Sequence, residues 1–301
     1  KQAPVPIYSP LTGAKVDDVT LTTRPITAIM IENSPDARPQ SGVKQAGIVY
    51  EAIAEGGITR FLALYQEAQP GLVGPVRSLR MYFLDWATPY NPGIVHVGGS
   101  AAALSEVRNG NYNDLDQFFN GSAFWRSTDR YAPHNVYTSF DNLNKLEQSK
   151  GITSSTFVGF LRADGKPSDA PDATSVDINF SGPLYNTHYD YDTASNTYLR
   201  NVGGVASMDR EDGQISPSVV IAMKVDMSLI LQDGYREAIT TTGSGVADIF
   251  QNGAVIEATW KKDGRTAPLQ FFDASGNEIS LNRGQTWIAA VPNGSGSVSW
   301  Q

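Results

Sequence analysis

The chain has 301 residues, 41% of them hydrophobic and 18% charged, with 28 glycines and 17 prolines; this excludes a disordered or coiled-coil protein and predicts two ordinary domains rich in turns and β structure. The formal charge of -8 falls on the second half, since residues 1 to 150 carry 13 basic and 14 acidic side chains and residues 151 to 301 carry 10 and 17. No basic stripe offsets it, so neither nucleic acid nor a membrane surface reached through a basic patch is an expected partner.

Cysteine is absent, which removes disulfides, thiolate nucleophiles and Cys-ligated zinc, and the histidines are His96, His134 and His188. No apolar run approaches the ~20 residues of a membrane span. The chain opens at Lys1 rather than at methionine, which reads as a processed product whose leader has been removed.

In chain order, Ile26 to Ile31 is an uninterrupted apolar run and predicts a buried strand, followed by a loop through Asn33 to Pro39. Strands follow at Ile48 to Ala54 and Ile58 to Tyr65, on either side of a turn at Gly56-Gly57. The spacing of Val76, Leu79, Phe83 and Trp86 predicts a helix that starts near Pro75 and ends before Pro89. Ile94 to Val97 reads as a strand, Gly98-Gly99-Ser100 as a turn, and Ala101 to Arg108 as a helix; Ser139 to Lys150 is a further helix.

The polar, proline-bearing stretch from Arg162 to Asp172 reads as a domain connection. We therefore expect an α+β protein: a mixed α/β-type first domain with a buried sheet (1-165) and a mainly antiparallel β second domain (166-301). A sheet running unbroken through both halves contradicts that division. In the second half Val219 to Val225 is an apolar strand, and Asn252-Gly253 between Ala247 to Phe250 and Val255 to Trp260 is a strong hairpin signal. A second turn at Asp273 to Asn277 separates two short strands. The tail from Asn293 reads as mobile as far as Val298.

Several separated motifs follow one another along the chain: Arg24 to Asn33 with Ala37 to Gly42, then Val49-Tyr50-Glu51, Glu55 to Phe61, Gly74 to Arg80, His96 to Ser100 and Ala132 to Asn135. In the second half come Gly243-Ser244-Gly245, Asn252-Gly253, Trp260-Lys261-Lys262 and Leu281 to Trp287. This set resembles the YerB-like lipoprotein family of bacteria over nearly the whole chain. The resemblance implies an exported protein tethered by a lipidated N-terminal cysteine, which this chain does not contain, and it implies no established enzyme. Where relatives often place a histidine before the aspartate, this chain has Met208 before Asp209.

The residues that could carry chemistry are His96, Ser100, Asp129 and His134, as base, nucleophile and orienting carboxylate, and Arg60, Arg77, Arg80, Gly98 and Gly99, as an anion-binding set. Glycines in a strand-to-helix turn permit close approach of backbone N–H groups to an anion, and arginines three apart on a helix point the same way. Each has a structural alternative: Ser100 as a helix cap, the arginines paired with Glu51, Glu55 or Asp85, the histidines as hydrogen-bonded structural residues. Gly98-Gly99-Ser100 does not match the G-x-S-x-G elbow. No metal set and no cofactor is implied, because Asp190-Tyr191-Asp192 lacks the glycine and glutamate of a calcium loop and reads as a hairpin turn. Trp260, Trp287, Tyr185, Tyr189, Tyr191 and Tyr198 are either cross-strand packing or a carbohydrate-binding face.

The leading functional expectation is an extracytoplasmic cell-envelope binding or accessory protein that holds an anionic small molecule or envelope component in the first domain. The alternatives are a metal-independent envelope hydrolase built on Ser100, and a structural module that contacts another protein. The expected membrane link is the N-terminal lipid anchor alone.

Overall fold

A computed structural model of the chain describes residues 5–230 and 236–301. The first apolar run forms β1 (Thr27–Glu32), whose six residues are all buried, as expected of a strand covered on both faces. Next come β2 (Ile48–Glu55) and β3 (Ile58–Tyr65). They are joined at Gly56 and Gly57, whose φ values of 58° and 79° suit residues without a Cβ.

The helix expected from Pro75 begins only at Met81, and α1 spans Met81–Ala87. The preceding residues are hydrogen-bonded to segments distant in sequence rather than to their own next turn. Arg77 N–H donates to Met30 O at 2.8 Å and Leu79 N–H to Gly98 O at 2.9 Å, while Glu32 N–H donates to Pro75 O at 2.9 Å. With its backbone groups committed in this way, the segment bridges β1 and the end of β4 (Gly93–His96) and cannot build an i to i−4 ladder. Then follow α2 (Ala101–Asn109), β5 (Asn113–Asp116), a hairpin of β6 (Phe124–Arg126) and β7 (Val136–Thr138), and α3 (Phe140–Ser149), which is capped by Ser139.

The second half supplies β8 (Ser175–Asn179), β9 (Thr187–Asp192), β10 (Thr197–Val202), β11 (Val219–Val225), β12 (Gly243–Gln251), β13 (Ala254–Lys262), β14 (Gln270–Phe272), β15 (Thr286–Pro292) and β16 (Ser297–Trp300). Asn252 and Gly253 close the β12–β13 hairpin with φ of 62° and 74°, the positive pair that a type I′ turn needs. Asp192 caps the β9–β10 turn by accepting from Ser195 Oγ at 2.6 Å and Ala194 N–H at 3.2 Å. The tail, expected to be mobile from Asn293 as far as Val298, is paired from Ser297 onward, where β16 runs antiparallel to β8.

The architecture is α+β, with the second half largely antiparallel. Its main sheet has 12 strands and runs β14-β13-β12-β11-β15-β2-β3-β1-β4-β5, with the ladder of Met227–Ile230 and Arg236–Ile239 attached at β2. A smaller sheet of five strands contains β10, β9, β8 and β16. The main sheet is unbroken across the two halves: β15 pairs parallel with β2, from Thr286 opposite Ile48 to Ala289 opposite Glu51. The expected division therefore does not separate two sheets. The connection is also tied down, since Arg162–Ala163 pairs with Leu281–Asn282, and the Arg162 guanidinium donates to the carbonyls of Asn282 and Leu11 at 2.9 and 3.0 Å.

Strand periodicity of two sends alternate side chains to opposite faces. Ala28 and Met30 pack with Phe83 and Trp86 of α1 and Val107 of α2. Ile29 and Ile31 belong to the opposite layer, with Phe140 and Leu143 of α3 and Val176, Tyr189 and Tyr198 of the small sheet. Tyr189, Tyr198, Trp260 and Trp287 are buried, so these four are packing residues and not a binding face.

One polar cluster lies inside this core. Glu51, on β2, is fully buried, and its carboxylate accepts from Arg200 of β10 at 2.8 Å, from the Trp287 indole of β15 at 2.9 Å and from the Thr59 hydroxyl of β3 at 2.9 Å. The Arg200 guanidinium lies 4.5 Å from the Trp287 ring centroid and 5.5 Å from that of Phe61. Burial opposes its charge most strongly, but Glu51 and Tyr189 beside it together outweigh burial and raise its pKa. Arg200→Ala leaves a buried carboxylate uncompensated and is expected to cost about 3–5 kcal/mol in urea unfolding. The pair Glu51→Leu with Arg200→Met should cost less than the single change; a single-variant loss below about 1 kcal/mol contradicts this reading.

A second buried carboxyl has a pH signature. Glu147 on α3 is 1% exposed, its Oε1 accepts from Thr27 Oγ1 at 2.8 Å, and its Oε2 has no hydrogen-bond partner among the described residues. Burial pushes its pKa from 4.5 up to about 7. The folded state thus holds this proton more tightly than the unfolded chain, so the group's stabilisation is complete below pH 4.5 and is lost as pH rises through about 7. Glu147→Gln should gain on the order of 3 kcal/mol relative to wild type across that window in denaturation at stepped pH. A difference between the two proteins that does not vary with pH contradicts the assignment.

Candidate functional site

The expected site residues do not converge. Because residues 77 to 80 are extended rather than helical, Arg77 and Arg80 enter separate clusters. Arg77 Nε lies 3.1 Å from Glu32 Oε2, whereas Arg80 and Arg60 take the two oxygens of Glu55 at 2.7 and 3.1 Å. Burial lowers the pKa of Arg80, and Arg60 beside it adds to that effect. Burial alone would raise Glu55, but the two guanidiniums outweigh it and hold the carboxyl below its ordinary value.

His96 is fully buried, with Nδ1 2.7 Å from Gly98 O and Nε2 2.9 Å from Asp114 Oδ1. The Gly98 N–H, expected to receive an anion, donates to the protein's own Asp116 at 3.0 Å; Arg108 binds the other Asp116 oxygen at 2.9 Å. A Cβ at Gly99 would lie 3.0 Å from Leu79 O, so this glycine serves close packing. Ser100 caps α2, its Oγ accepting from Ala103 N–H at 3.4 Å, and it makes no hydrogen bond to a histidine among the described residues. The turn is thus closed by internal partners, and no nucleophile–base pair is assembled there.

His134 and Asp129 lie elsewhere, on a cleft of about 600 Å³ whose walls include Asp36, Arg38, Asp129, Arg130, His134 and Arg210. The loop after β1 supplies the first two and the β6–β7 loop the next three. Arg210 comes from the second half. His134 Nδ1 lies 2.8 Å from Glu32 Oε1, so the buried Glu32 stands between His134 and Arg77. Arg38 donates to Asn33 Oδ1 at 3.2 Å and to the carbonyls of Asn33 and Leu184, both at 2.9 Å. Arg130 donates to the carbonyls of Asp36 and Arg38 at 2.7 and 3.3 Å. Neither has a carboxylate partner among the described residues, while Arg210 meets Asp129 at 2.8 Å.

Two of the segments around the cleft are connected to the buried pair. Asn33, which holds Arg38, also donates to Glu51 at 3.3 Å, and Arg200 donates to Ser207 Oγ at 2.5 Å, just before Arg210 in sequence. The sequence does not single out Arg38, Arg130 or Arg210 as site residues. Arg38 sits inside a family motif, but nothing local marks Arg210, whose partner is 81 residues away. Among the described residues no group of three or more His, Asp or Glu side chains is placed to hold a metal ion.

Comparison with known proteins supplies a family. Residues 11–153 match the N-terminal domain, and residues 176–288 the C-terminal domain, of the family described as protein of unknown function (DUF3048). The chain is 37% identical over 295 residues to YerB of Bacillus subtilis (strain 168), whose name carries the word lipoprotein; the match spans 95% of this chain and 87% of that one. A crystal structure of YerB protein from Bacillus subtilis aligns with a TM-score of 0.87 at 33% identity, covering 97% of this chain and 99% of the other. Among the described residues no helix is long and apolar enough to cross a membrane. With both domains matched in order and the fold shared along the whole chain, the protein belongs to the YerB family, a two-domain family of unknown function.

Proposed function

We propose that this chain is an extracytoplasmic cell-envelope protein that binds an anionic ligand in the cleft between the β1–β2 loop, the β6–β7 loop and Arg210. The lipoprotein designation of its relative supports a lipid-anchored location outside the cytoplasm. The observation that carries the binding reading is the charge of the cleft. Three guanidiniums face two carboxylates, and Arg38 and Arg130 are held by backbone carbonyls that leave their charge uncompensated. Pre-positioned guanidiniums are suited to carboxylate and phosphate. The first half supplies most of the cleft, as expected of an N-terminal site, but Arg210 makes it a joint product of both halves. The hydrolase reading has less support, because Ser100 and His96 are each engaged by other partners.

Arg210 is the cleanest test, since its side chain is 40% exposed and among the described residues it pairs with Asp129 alone. Calorimetric titration with inorganic phosphate and with citrate at low salt should show binding that weakens about tenfold or more in Arg210→Ala, because the change removes one cation and unpairs Asp129. Ser100→Ala should cost about 1 kcal/mol through the lost cap and leave the binding unchanged. Absence of binding by the wild-type protein, or loss of binding in Ser100→Ala with Arg210→Ala unaffected, contradicts the proposal.

A further inference from the structure

The cleft does not end at the Asp129–Arg210 ion pair. A second cavity of about 280 Å³ shares both of these residues and continues past Trp125, Ser127, Tyr137 and Glu211. The pair therefore stands as a bar across one longer groove, with the arginine-lined compartment on one side and an aromatic compartment on the other. Both of its members are partly exposed, so a bound chain can reach an acceptor and a donor at the same point.

Three features of the groove exceed what a small inorganic anion needs. Trp125, a wall of the second compartment, is 40% exposed, and Tyr131, a wall of the first, is 90% exposed. Large aromatic rings left in water on both sides of a polar bar offer flat apolar surface beside hydrogen-bonding groups. Tyr137 is 1% exposed and lines the second compartment, and its hydroxyl has no hydrogen-bond partner among the described residues. A buried hydroxyl without a partner is uncommon, and this one belongs to a wall residue of the second compartment, beside Arg130 of the first.

Resting on the anion-binding reading, we propose that the ligand is an acidic oligosaccharide lying along the groove. A sugar ring presents a C–H face that packs on the Trp125 indole, and its hydroxyls can both donate to Asp129 and accept from Tyr137. A carboxylate or phosphate substituent on a neighbouring ring meets Arg210 and Arg130. Such a chain uses the Trp125 ring, Asp129 and the guanidiniums together, whereas a free anion uses the guanidiniums alone.

The test titrates the full chain with tetragalacturonate, its methyl ester, tetra-aspartate and inorganic phosphate, followed by calorimetry and tryptophan fluorescence. Tetragalacturonate should bind about tenfold or more tighter than each of the other three. Trp125→Ala should lower its affinity about tenfold and leave phosphate binding unchanged. Trp125→Leu keeps apolar volume on the β6–β7 hairpin and should show the same loss, and Tyr137→Phe should weaken the oligosaccharide alone. Phosphate binding without preference for the oligosaccharide, tetra-aspartate binding as tightly, or Trp125 variants with unchanged affinity overturns the oligosaccharide inference and leaves the anion cleft standing. No binding of any of the four overturns both.

Discussion

A carboxylate in the middle of a buried sheet cannot be left alone, and the requirement to pair Glu51 organises much of this molecule. The partners come from every part of the fold: Arg200 from the small sheet, Trp287 from the late strand β15, Thr59 from the neighbouring β3. Placing a charge there costs several kcal/mol of desolvation, which only simultaneous pairing and hydrogen bonding can offset. Strand register therefore matters beyond apolar packing. A slip of one residue between β2 and β15 would turn the Trp287 indole to the other face and leave a Glu51 oxygen with one donor fewer.

The same cluster sets the geometry of the surface. From Glu51 one route leads through Asn33 to Arg38, and another through Arg200 to Ser207, three residues before Arg210. Two of the three arginine-bearing segments of the cleft, those of Arg38 and Arg210, thus connect to one buried ion pair. This is the arrangement in which charged groups are most useful to a ligand, because they are positioned before it arrives and lose little entropy on binding.

Much of the local structure was legible in the sequence because it depends on near neighbours. The apolar run at Ile26 to Ile31, the Asn252-Gly253 turn and the Ser100 cap all follow from periodicity, backbone preference and a single side-chain acceptor. What was not legible depends on distant partners. The helix expected from Pro75 gave way to extended chain because Met30 and Gly98 accept its N–H groups. The glycine turn looked open to an anion, but Asp116, 18 residues beyond Gly98, already occupies it. Arg200 and Glu51 are 149 residues apart, and no pattern in a single sequence signals that they meet. The polar stretch near residue 165 reads as a domain connection from composition, yet a parallel ladder between β15 and β2 cannot be read from composition at all.

The two halves are joined at the β2–β15 ladder and its buried ion pair, and the cleft draws its walls from both, so the chain should unfold as one cooperative body. Native-state hydrogen exchange, read by mass spectrometry as denaturant is raised, tests this most directly. Peptides from β1, β2 and β3 and those from β11 and β15 are expected to lose protection together, with a common opening free energy. Loss of protection in β11 and β15 at low denaturant while β1 and β3 remain protected would contradict it.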